Sequence, residues 1–364
     1  MNVQSERPSQ PVVSSLVAPV AGDNPVDRLL PLVGGTPLIE ISFRYEGRPG
    51  RVFAKYEALN YTGSIKDRMA LHILARGWES GALVEDAVIV EASSGNTAIS
   101  FAAFGRALGH PVRIMMPEWM SVERKALLRS MGAALHEVTA DEGGFLGSIA
   151  QARAYGAEHS DVFLPEQFTS EANVQAHACG TGPEILAQLG AEGLAPGAFV
   201  AGVGTGGTIM GVGQAMRAAH PSVRIHPVEP AEAPVLSCGP SDGHHRIQGI
   251  SDEFIPDVVD LDALAPPLAV SDGDAILMAQ RLSCELGLAV GISSGANVIA
   301  AIRTWSDLGP DAVVATVLPD SNKKYLSTDL FRDEPTRPDY LTPRVELFAR
   351  WRALAFEAGE RLAR

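Results

Sequence analysis

The sequence predicts an α/β protein of two domains, each with a mostly parallel, twisted sheet flanked by helices. Short apolar runs that are typical of buried strands alternate with helical patterns, and short connections join them. The alternation comes in two runs, which favours two sheets with a cleft between them. The chain of 364 residues is long enough for roughly two domains, and its apolar share of 46% can fill their cores.

The predicted elements follow in chain order. A short helix over 24–33 starts at an Asn-Pro pair, and a strand over 51–57 comes next. The first run predicts strands at 87–91, 112–116, 134–138 and 162–164 and helices at 95–108, 121–131 and 144–159. The second run predicts helices at 171–189, 208–219, 272–286 and 294–304 and strands at 199–201, 224–228, 289–291 and 312–318.

These elements divide the chain into four parts. We expect residues 25–56 and 166–331 to form a larger domain and residues 57–165 to form a smaller, mobile domain. Residues 1–24 are rich in Pro, Ser and Val without a period, so we expect a disordered arm. Residues 332–364 are expected to be a helical extension, with an amphipathic helix over 343–362.

Charge and cysteine usage limit the partners and the compartment. A net charge of -14 argues against binding to nucleic acid or to an anionic membrane surface. Cys179, Cys238 and Cys284 are widely spaced and odd in number, which favours a reducing cytosol, and we expect no metal site. The first 24 residues lack a basic region followed by an apolar block, so no signal peptide is predicted and we expect a cytoplasmic protein.

The segment Tyr61-Thr-Gly-Ser-Ile-Lys-Asp-Arg68 places Lys66 inside the first turn of a predicted helix. Gly63 permits a tight turn before it, and Ser64 is the predicted N-cap. The positive end of the helix dipole disfavours a second positive charge, so the neutral amine is favoured there. A neutral amine can attack an aldehyde, although an isolated lysine would usually be a solvated surface residue.

Two further motifs join the end of a strand to the start of a helix. Ser93-Ser-Gly-Asn-Thr97 offers backbone N–H groups and hydroxyls to one anion, such as a carboxylate, although a plain helix cap would look the same. Gly202-Val-Gly-Thr-Gly-Gly-Thr208 can form a phosphate cup. It also matches GxGxxG, and Glu229 lies where a dinucleotide fold needs its ribose acid, so a nicotinamide-binding dehydrogenase stays open.

A fourth strand-turn-helix motif, Val290-Gly-Ile-Ser-Ser-Gly-Ala-Asn297, places the hydroxyl of Ser293 where a strand ends, although it could be one more N-cap. Polar loops containing Gln167 and residues 245–252 also follow strand-like segments. Together the motifs call for a ligand with an aldehyde, a phosphate and ring heteroatoms. Pyridoxal 5'-phosphate (PLP) has all three.

The order of these motifs, together with Gly34-Gly-Thr-Pro-Leu38 and Gln248-Gly-Ile250, resembles the cysteine synthase and cystathionine β-synthase family from about residue 31 to residue 331. The resemblance implies fold type II, similar to the tryptophan synthase β chain, with the phosphate bound by the larger domain. It also implies a homodimer, with serine acetyltransferase as a possible partner.

The resemblance implies roles for individual residues. Lys66 would form the Schiff base with PLP and then remove the Cα proton of the substrate. Asn96 would bond the 3'-oxygen of the ring, and Ser293 would face the ring nitrogen. The residues implied to bind the cofactor are Lys66, Asn96, Gly204, Thr205, Gly206, Gly207, Thr208 and Ser293. Those expected to bind the substrate are Ser93, Ser94, Gly95, Thr97, Gln167, Gly249, Ser251 and Asp252.

The implied reaction is β-replacement on an O-activated L-serine, such as acetyl- or phosphoserine, through an α-aminoacrylate. A thiol-like nucleophile would then give L-cysteine or a related β-substituted alanine. Simple cysteine synthases tend to have small glycines where this chain has Ser251, Asp252 and Glu253. If Asp252 faces the cleft, it could bind a cationic or hydroxylated group of a larger nucleophile; otherwise it points into water. A serine or threonine dehydratase and a partner-binding protein that only keeps the fold stay open.

Overall fold

The computed structural model describes residues 24–240 and 243–356, and these form two sheets flanked by helices, which confirms the predicted α/β class. The strands are β1 Leu38–Tyr45, β2 Arg48–Tyr56, β3 Val88–Ala92, β4 Val112–Pro117, β5 Ala134–Val138, β6 Val162–Phe163, β7 Ala198–Gly202, β8 Arg224–Pro230, β9 Leu268–Val270, β10 Val314–Leu318, β11 Val345–Leu347 and β12 Arg352–Leu354.

Helices cover these strands. The α-helices are α1 Lys66–Glu79, α2 Asn96–Leu108, α3 Val122–Ser130, α4 Gly144–Glu158, α5 Glu171–Ala176, α6 Gly182–Ala191, α7 Gly207–Ala219, α8 Val235–Cys238, α9 Asp272–Leu286 and α10 Ile292–Leu308. A π-helical turn, His177–Thr181, joins α5 to α6. The 3-10 helices are Pro25–Leu32, Glu57–Leu59, Leu261–Ala263, Asn322–Lys324, Asp329–Phe331 and Thr342–Arg344.

The two sheets differ in size and in strand direction. The larger has the order β11-β1-β2-β10-β7-β8-β9, and β12 also pairs with β1. In this sheet β2, β10, β7, β8 and β9 run parallel to one another, whereas β1 is antiparallel to β2, β11 and β12. The smaller sheet, β5-β4-β3-β6, is parallel throughout. Parallel strands end at one edge, so each sheet presents its following loops on one side.

The core of the larger sheet follows from its apolar strands and one close contact. Every residue of β10 is buried, as expected for a strand covered on both faces. Trp305 on α10 is fully buried and packs edge-on against Phe43, with ring centroids 5.0 Å apart. Gly50 allows this contact, because a Cβ at that position would lie 2.4 Å from the Trp305 ring. Helix α10 is thereby held close to the sheet.

The smaller sheet shares its core with α1, α2 and the first 3-10 helix. Val26 and Leu29 of that helix pack in the same cluster as Met69 of α1 and Phe101 of α2. The apolar side chains of this helix thus pack in the smaller core, whereas residues 25–56 are predicted to belong to the larger domain. The remaining domain boundaries and the mobility of the smaller domain stay predictions.

Two sequence-based elements are wrong. The predicted helix over 343–362 is instead the two short strands β11 and β12, at least as far as residue 356; the rest of it and residues 1–23 of the predicted arm lie outside the described residues. Val345 and Leu347 are buried with an exposed residue between them, a period of two, and they cover the edge of β1. The predicted strand over 289–291 is only an isolated bridge between Val290 and Ser321.

Over the described ranges, no helix combines the length and apolar character needed to cross a membrane. Within the same ranges, no group of three or more His, Cys, Asp or Glu side chains is arranged to hold a metal ion.

Candidate active site

The loops that follow β3, β7 and β10 lead into a cavity of about 640 Å³ between the two sheets. Ligands of open parallel sheets bind outside the carboxyl ends of the strands, where this cavity lies. Every predicted site residue except Gly207 lines it. The structure thus brings together residues that are more than two hundred positions apart, such as Lys66 and Ser293.

Lys66 is the first residue of α1, which confirms its predicted place in the first helical turn. Burial lowers the pKa of Lys66, while the carboxylates of Asp252 and Asp320 act in the opposite direction. Burial, which the sequence analysis did not consider, thus favours the neutral amine. The predicted cap is wrong: Ile65 occupies the N-cap position without a side-chain hydrogen bond, and Ser64 is buried with its hydroxyl unpaired.

Asp67 closes the loop before α1. Its carboxylate accepts hydrogen bonds from the Thr62 backbone N–H and hydroxyl, both at 2.6 Å, and from the Ser100 hydroxyl at 2.6 Å. The Ile65 N–H donates to the carbonyl of Pro319 at 2.8 Å, which ties the loop to the end of β10. The backbone is thus fixed on both sides of Lys66: Asp67 is bonded to α2 of the predicted smaller domain, and Ile65 is bonded to the larger sheet.

Arg68 anchors α1 in a buried ionic network that the sequence did not suggest. Its guanidinium donates two hydrogen bonds to the carboxylate of Glu57, at 2.6 and 2.8 Å, and two to that of Glu184, both at 2.8 Å. Burial favours the neutral acid of Glu184, but Arg68 and Lys55 outweigh it and lower the pKa of Glu184 to about 2. Burial lowers the pKa of Lys55 to about 8. The network fixes α1 two residues beyond Lys66.

The loop Ser93 to Thr97 meets Gln167 as the predicted carboxylate site requires. Thr97 donates from its hydroxyl to the Gln167 side-chain oxygen at 2.7 Å. Gly95 has no side-chain cap and donates its N–H to the Ser93 hydroxyl at 3.2 Å. Gln167 in turn donates to Glu91 at 3.3 Å and to the carbonyl of Ala92 at 3.2 Å. Loop and glutamine form one hydrogen-bonded unit at the head of α2.

Glu91 stands behind this unit and was not predicted. It is 4% exposed, and its Oε1 also accepts from the Ala92 N–H at 2.9 Å. Burial raises the pKa of Glu91 to about 8, so the neutral acid dominates at physiological pH.

Asn96 lies between two charged side chains that the sequence analysis missed. Its amide nitrogen donates to Asp320 at 2.7 Å, and its oxygen accepts from Lys324 at 2.7 Å. The Tyr325 hydroxyl donates to the same Asp320 oxygen at 2.5 Å. Burial raises the pKa of Asp320 and lowers that of Lys324. The available signal was the position of residues 319–325, directly after a predicted strand and hence at the site edge.

The glycine loop between β7 and α7 is packed too tightly for side chains. A Cβ at Gly206 would lie 2.3 Å from Val259, and one at Gly207 would lie 1.9 Å from the Asn173 oxygen. Asn173 donates to the Thr205 hydroxyl and to the Gln167 carbonyl, both at 2.8 Å. Helix α7 begins at Gly207 without a side-chain cap, so no side chain occupies the anion-binding position at its start.

The loop after Ile250 brings Asp252 into the cavity, which decides between the two predicted orientations of this carboxylate. Burial raises the pKa of Asp252 to about 6, and the charges of Lys66 and His245 act in the opposite direction. The carboxylate is therefore close enough to Lys66 for the two groups to influence each other.

Glu229, the predicted ribose acid of the dehydrogenase alternative, is used elsewhere. It is 1% exposed, it accepts N–H groups from Leu236 at 2.8 Å and Ser237 at 3.3 Å, and it also accepts the Ser237 hydroxyl. It thus caps α8 and does not line the cavity. The nicotinamide alternative loses the residue on which it rested.

The cavity fits PLP. It offers an amine of lowered pKa, a glycine loop that leads into the uncapped start of α7, and Ser293 in the first turn of α10, which lines the same space. Asn297, one turn further, accepts from the Gly202 N–H at 2.8 Å and donates to the Val317 carbonyl at 2.9 Å, so α10 is fixed against β7 and β10. Fold and site together define a PLP-dependent enzyme of the two-domain α/β class.

Comparison with known proteins gives the family. The model for pyridoxal-phosphate dependent enzymes matches residues 29–320. Cysteine synthase of Staphylococcus aureus is 39% identical over 84% of this chain and 97% of its own length. A hydrogen sulfide-producing enzyme of Fusobacterium nucleatum is 50% identical, with a TM-score of 0.87 over 89% of this chain and 96% of its own. Cysteine synthase of Entamoeba histolytica is 29% identical, with a TM-score of 0.78 over 92% and 97%.

The chain belongs to the cysteine synthase family of pyridoxal-phosphate-dependent enzymes. This confirms the predicted resemblance and the predicted cofactor, PLP. The roles of individual residues stay predictions.

Proposed function

We propose that the enzyme exchanges the β-substituent of an O-activated L-serine for a thiol-like nucleophile and so forms L-cysteine or a related β-substituted alanine. The observation that carries this proposal is the shared cavity, in which the amine of Lys66, the loop Ser93 to Thr97 and the glycine loop meet. Relatives called cysteine synthase, 39% identical over most of the chain, support it.

When bound, PLP withdraws electrons from the α-carbon of the amino acid, which makes the Cα proton acidic and lets a β-substituent leave. Lys66 would take that proton at Nζ, because burial lowers its pKa and so favours the neutral, basic amine. The glycine loop would hold the phosphate, and the first N–H groups of α7 would bond its oxygens. The neutral hydroxyl of Ser293 would face the ring nitrogen.

The substrate carboxylate would be bound by Ser93, Ser94, Thr97 and Gln167. Uncharged donors at the head of α2 suit a carboxylate, and Gln167 is already oriented by its bonds to Thr97 and Glu91. Arg124 of α3 donates to the Gln248 side chain across the cleft. This contact supports closure of the smaller domain over the bound substrate, which would exclude water from the reaction.

A second candidate is the release of hydrogen sulfide from cysteine. It is the same exchange with sulfide as the leaving group and water or another nucleophile entering at the β-carbon. Asp252 favours it, because a carboxylate in the same cavity as Lys66 can accept a proton from an entering water or thiol. The name of the 50% identical enzyme of Fusobacterium nucleatum, hydrogen sulfide-producing, supports the same candidate.

A homodimer in the cytoplasm and a complex with serine acetyltransferase belong to this proposal. Two other predicted alternatives compete with it. A serine or threonine dehydratase would release its product to water without a second substrate. A partner-binding protein would keep the fold without turnover.

The test has two stages. Borohydride reduction of the PLP-loaded enzyme followed by peptide mapping should place the label on Lys66 and on no other lysine. The enzyme is then given acetylserine, phosphoserine or cysteine with sulfide, thiosulfate, homocysteine or water, and mass spectrometry identifies the products.

Cysteine from an activated serine and sulfide would support the first candidate. Sulfide together with serine, or with another β-substituted alanine, from cysteine would support the second. Asp252→Asn should impair sulfide release more than it impairs cysteine formation. Pyruvate as the sole product would instead indicate a dehydratase, and no turnover with any pair would refute both candidates.

A further inference from the structure

Ser251 holds a backbone conformation that favours glycine. Its φ is 56°, in the left-handed region that side chains other than Asn and Asp rarely adopt. Two hydrogen bonds from Ser251 keep it there: its N–H donates to the carbonyl of Val203 at 2.7 Å, and its hydroxyl donates to the carbonyl of Ala233 at 3.0 Å. A strained residue that is held from two sides sets the direction of the chain that follows, which here is Asp252.

His245 supplies the third contact. Its Nε2 lies 2.9 Å from the carbonyl oxygen of Ser251. A carbonyl only accepts, so Nε2 donates this hydrogen bond. Within the described residues, Nδ1 is buried without a hydrogen-bond partner. The carbonyl of Ser251 belongs to the peptide bond that leads into Asp252, so His245 holds that peptide plane.

His245, Asp252 and Lys66 line the same cavity. The titratable groups that act on Asp252 are Lys66, His245 and the neighbouring Glu253. The charge of Asp252 also acts on Lys66, where it favours the ammonium form. The protonation of Lys66 therefore reports whether Asp252 is held in place.

We propose that His245 is a positioning residue, which fixes Asp252 against Lys66 by holding the Ser251 carbonyl. The part that Asp252 plays in turnover rests on the proposed function, whereas its placement by His245 does not. His245 thereby determines how strongly the carboxylate acts on the amine.

Two amide variants separate this role from a general need for a polar side chain. In His245→Gln, the amide nitrogen falls where Nε2 lies and can donate to the Ser251 carbonyl. In His245→Asn, the amide nitrogen falls where Nδ1 lies and cannot reach it. Asp252→Asn gives the reference for a complete loss of the charge.

The measurement uses the full chain freed of PLP, so that the amine of Lys66 is open. Trace acetylation at a series of pH values with peptide mapping gives the pH at which Lys66 becomes reactive. Asp252→Asn should move this midpoint to lower pH by about one unit or more, because an opposite charge at close range is lost. His245→Asn should move it in the same direction, and His245→Gln should leave it close to that of the unaltered chain.

Circular dichroism and binding of added PLP check that the variants are folded. If His245→Asn is folded and titrates like the unaltered chain, or if His245→Gln shifts as far as His245→Asn, the positioning role is refuted. Neither result needs a substrate, so a failure of the proposed reaction would show in the product assay and not here.

Discussion

Replacing Glu91 by glutamine is expected to remove a large loss of stability between acid and neutral pH. Burial raises the pKa of Glu91 from its ordinary 4.5 to about 8 in the folded protein. The unfolded chain gives up this proton near pH 4.5, whereas the folded chain keeps it until about pH 8. Because the folded state binds the extra proton over this range, its stability falls as the pH rises.

The size of this effect follows from the pKa difference. A rise of roughly 3.5 corresponds to about 5 kcal/mol of folding free energy, which is fully present below pH 4.5 and fully lost above pH 8. Glutamine has the shape of the neutral acid, and its side-chain oxygen can still accept from the Ala92 N–H and from Gln167. It has no proton to lose, so Glu91→Gln should unfold less readily near pH 8 and about equally near pH 4.5.

Urea unfolding followed by circular dichroism at both pH values measures the difference, with PLP kept in excess. Glu158→Gln is the matched control, because Glu158 is an exposed glutamate on α4. If Glu91→Gln loses as much stability between the two pH values as the unaltered chain does, Glu91 is ionised in the folded protein and this reasoning is wrong.

The other predictions concern packing and charge. Gly207→Ala should weaken PLP binding and lower the free energy of unfolding by about 2–5 kcal/mol, because the new Cβ would displace Asn173 and break its two buried hydrogen bonds. Gly190→Ala should change neither quantity, because a Cβ at that position meets no other atom within 4 Å. Dialysis and thermal unfolding test both. Arg68→Met should cost about 3–5 kcal/mol in urea unfolding, because two buried carboxylates lose their partner, whereas Arg76→Met at the exposed end of α1 should cost under about 1 kcal/mol. Deleting the chain from β11 onwards should cost several kcal/mol and promote aggregation, which light scattering measures, because the edge of β1 is uncovered.

The sequence predicted those parts of the molecule that local patterns encode. Buried parallel strands are short apolar runs, and helices that follow them start at glycine, serine or asparagine, so fold class and site loops could be placed. The prediction of a helix over 343–362 was wrong because an amphipathic pattern does not reveal an open sheet edge. The strands β11 and β12 form where β1 needs partners, and that need is visible only once the sheet is built.

The charged residues of the site were missed for a related reason. Arg68 binds Glu184 across 116 positions of sequence, and Asn96 binds Lys324 across 228. From the sequence alone, Arg68, Glu184 and Lys324 would each be taken for an ordinary surface residue, since most charged residues are exposed. Their roles follow from burial, which makes an unpaired charge costly and so selects a partner.

These contacts divide the site into two parts with different constraints. Lys66 lies between a loop tied to the end of β10 and the buried Arg68, which binds Glu57 at the start of a 3-10 helix and Glu184 of α6. The loop Ser93 to Thr97 is attached to the smaller sheet and reaches the rest of the site through individual side-chain hydrogen bonds, which join Thr97 to Gln167 and Asn96 to Asp320 and Lys324. A single hydrogen bond can exchange as the domains move, whereas a doubly bidentate buried arginine cannot be released without exposing two unpaired charges. With the proposed roles of Lys66 and of the loop Ser93 to Thr97, this arrangement would keep the amine fixed and would let the carboxylate site close on a substrate. Such a difference in rigidity would keep water out between the two steps of β-replacement.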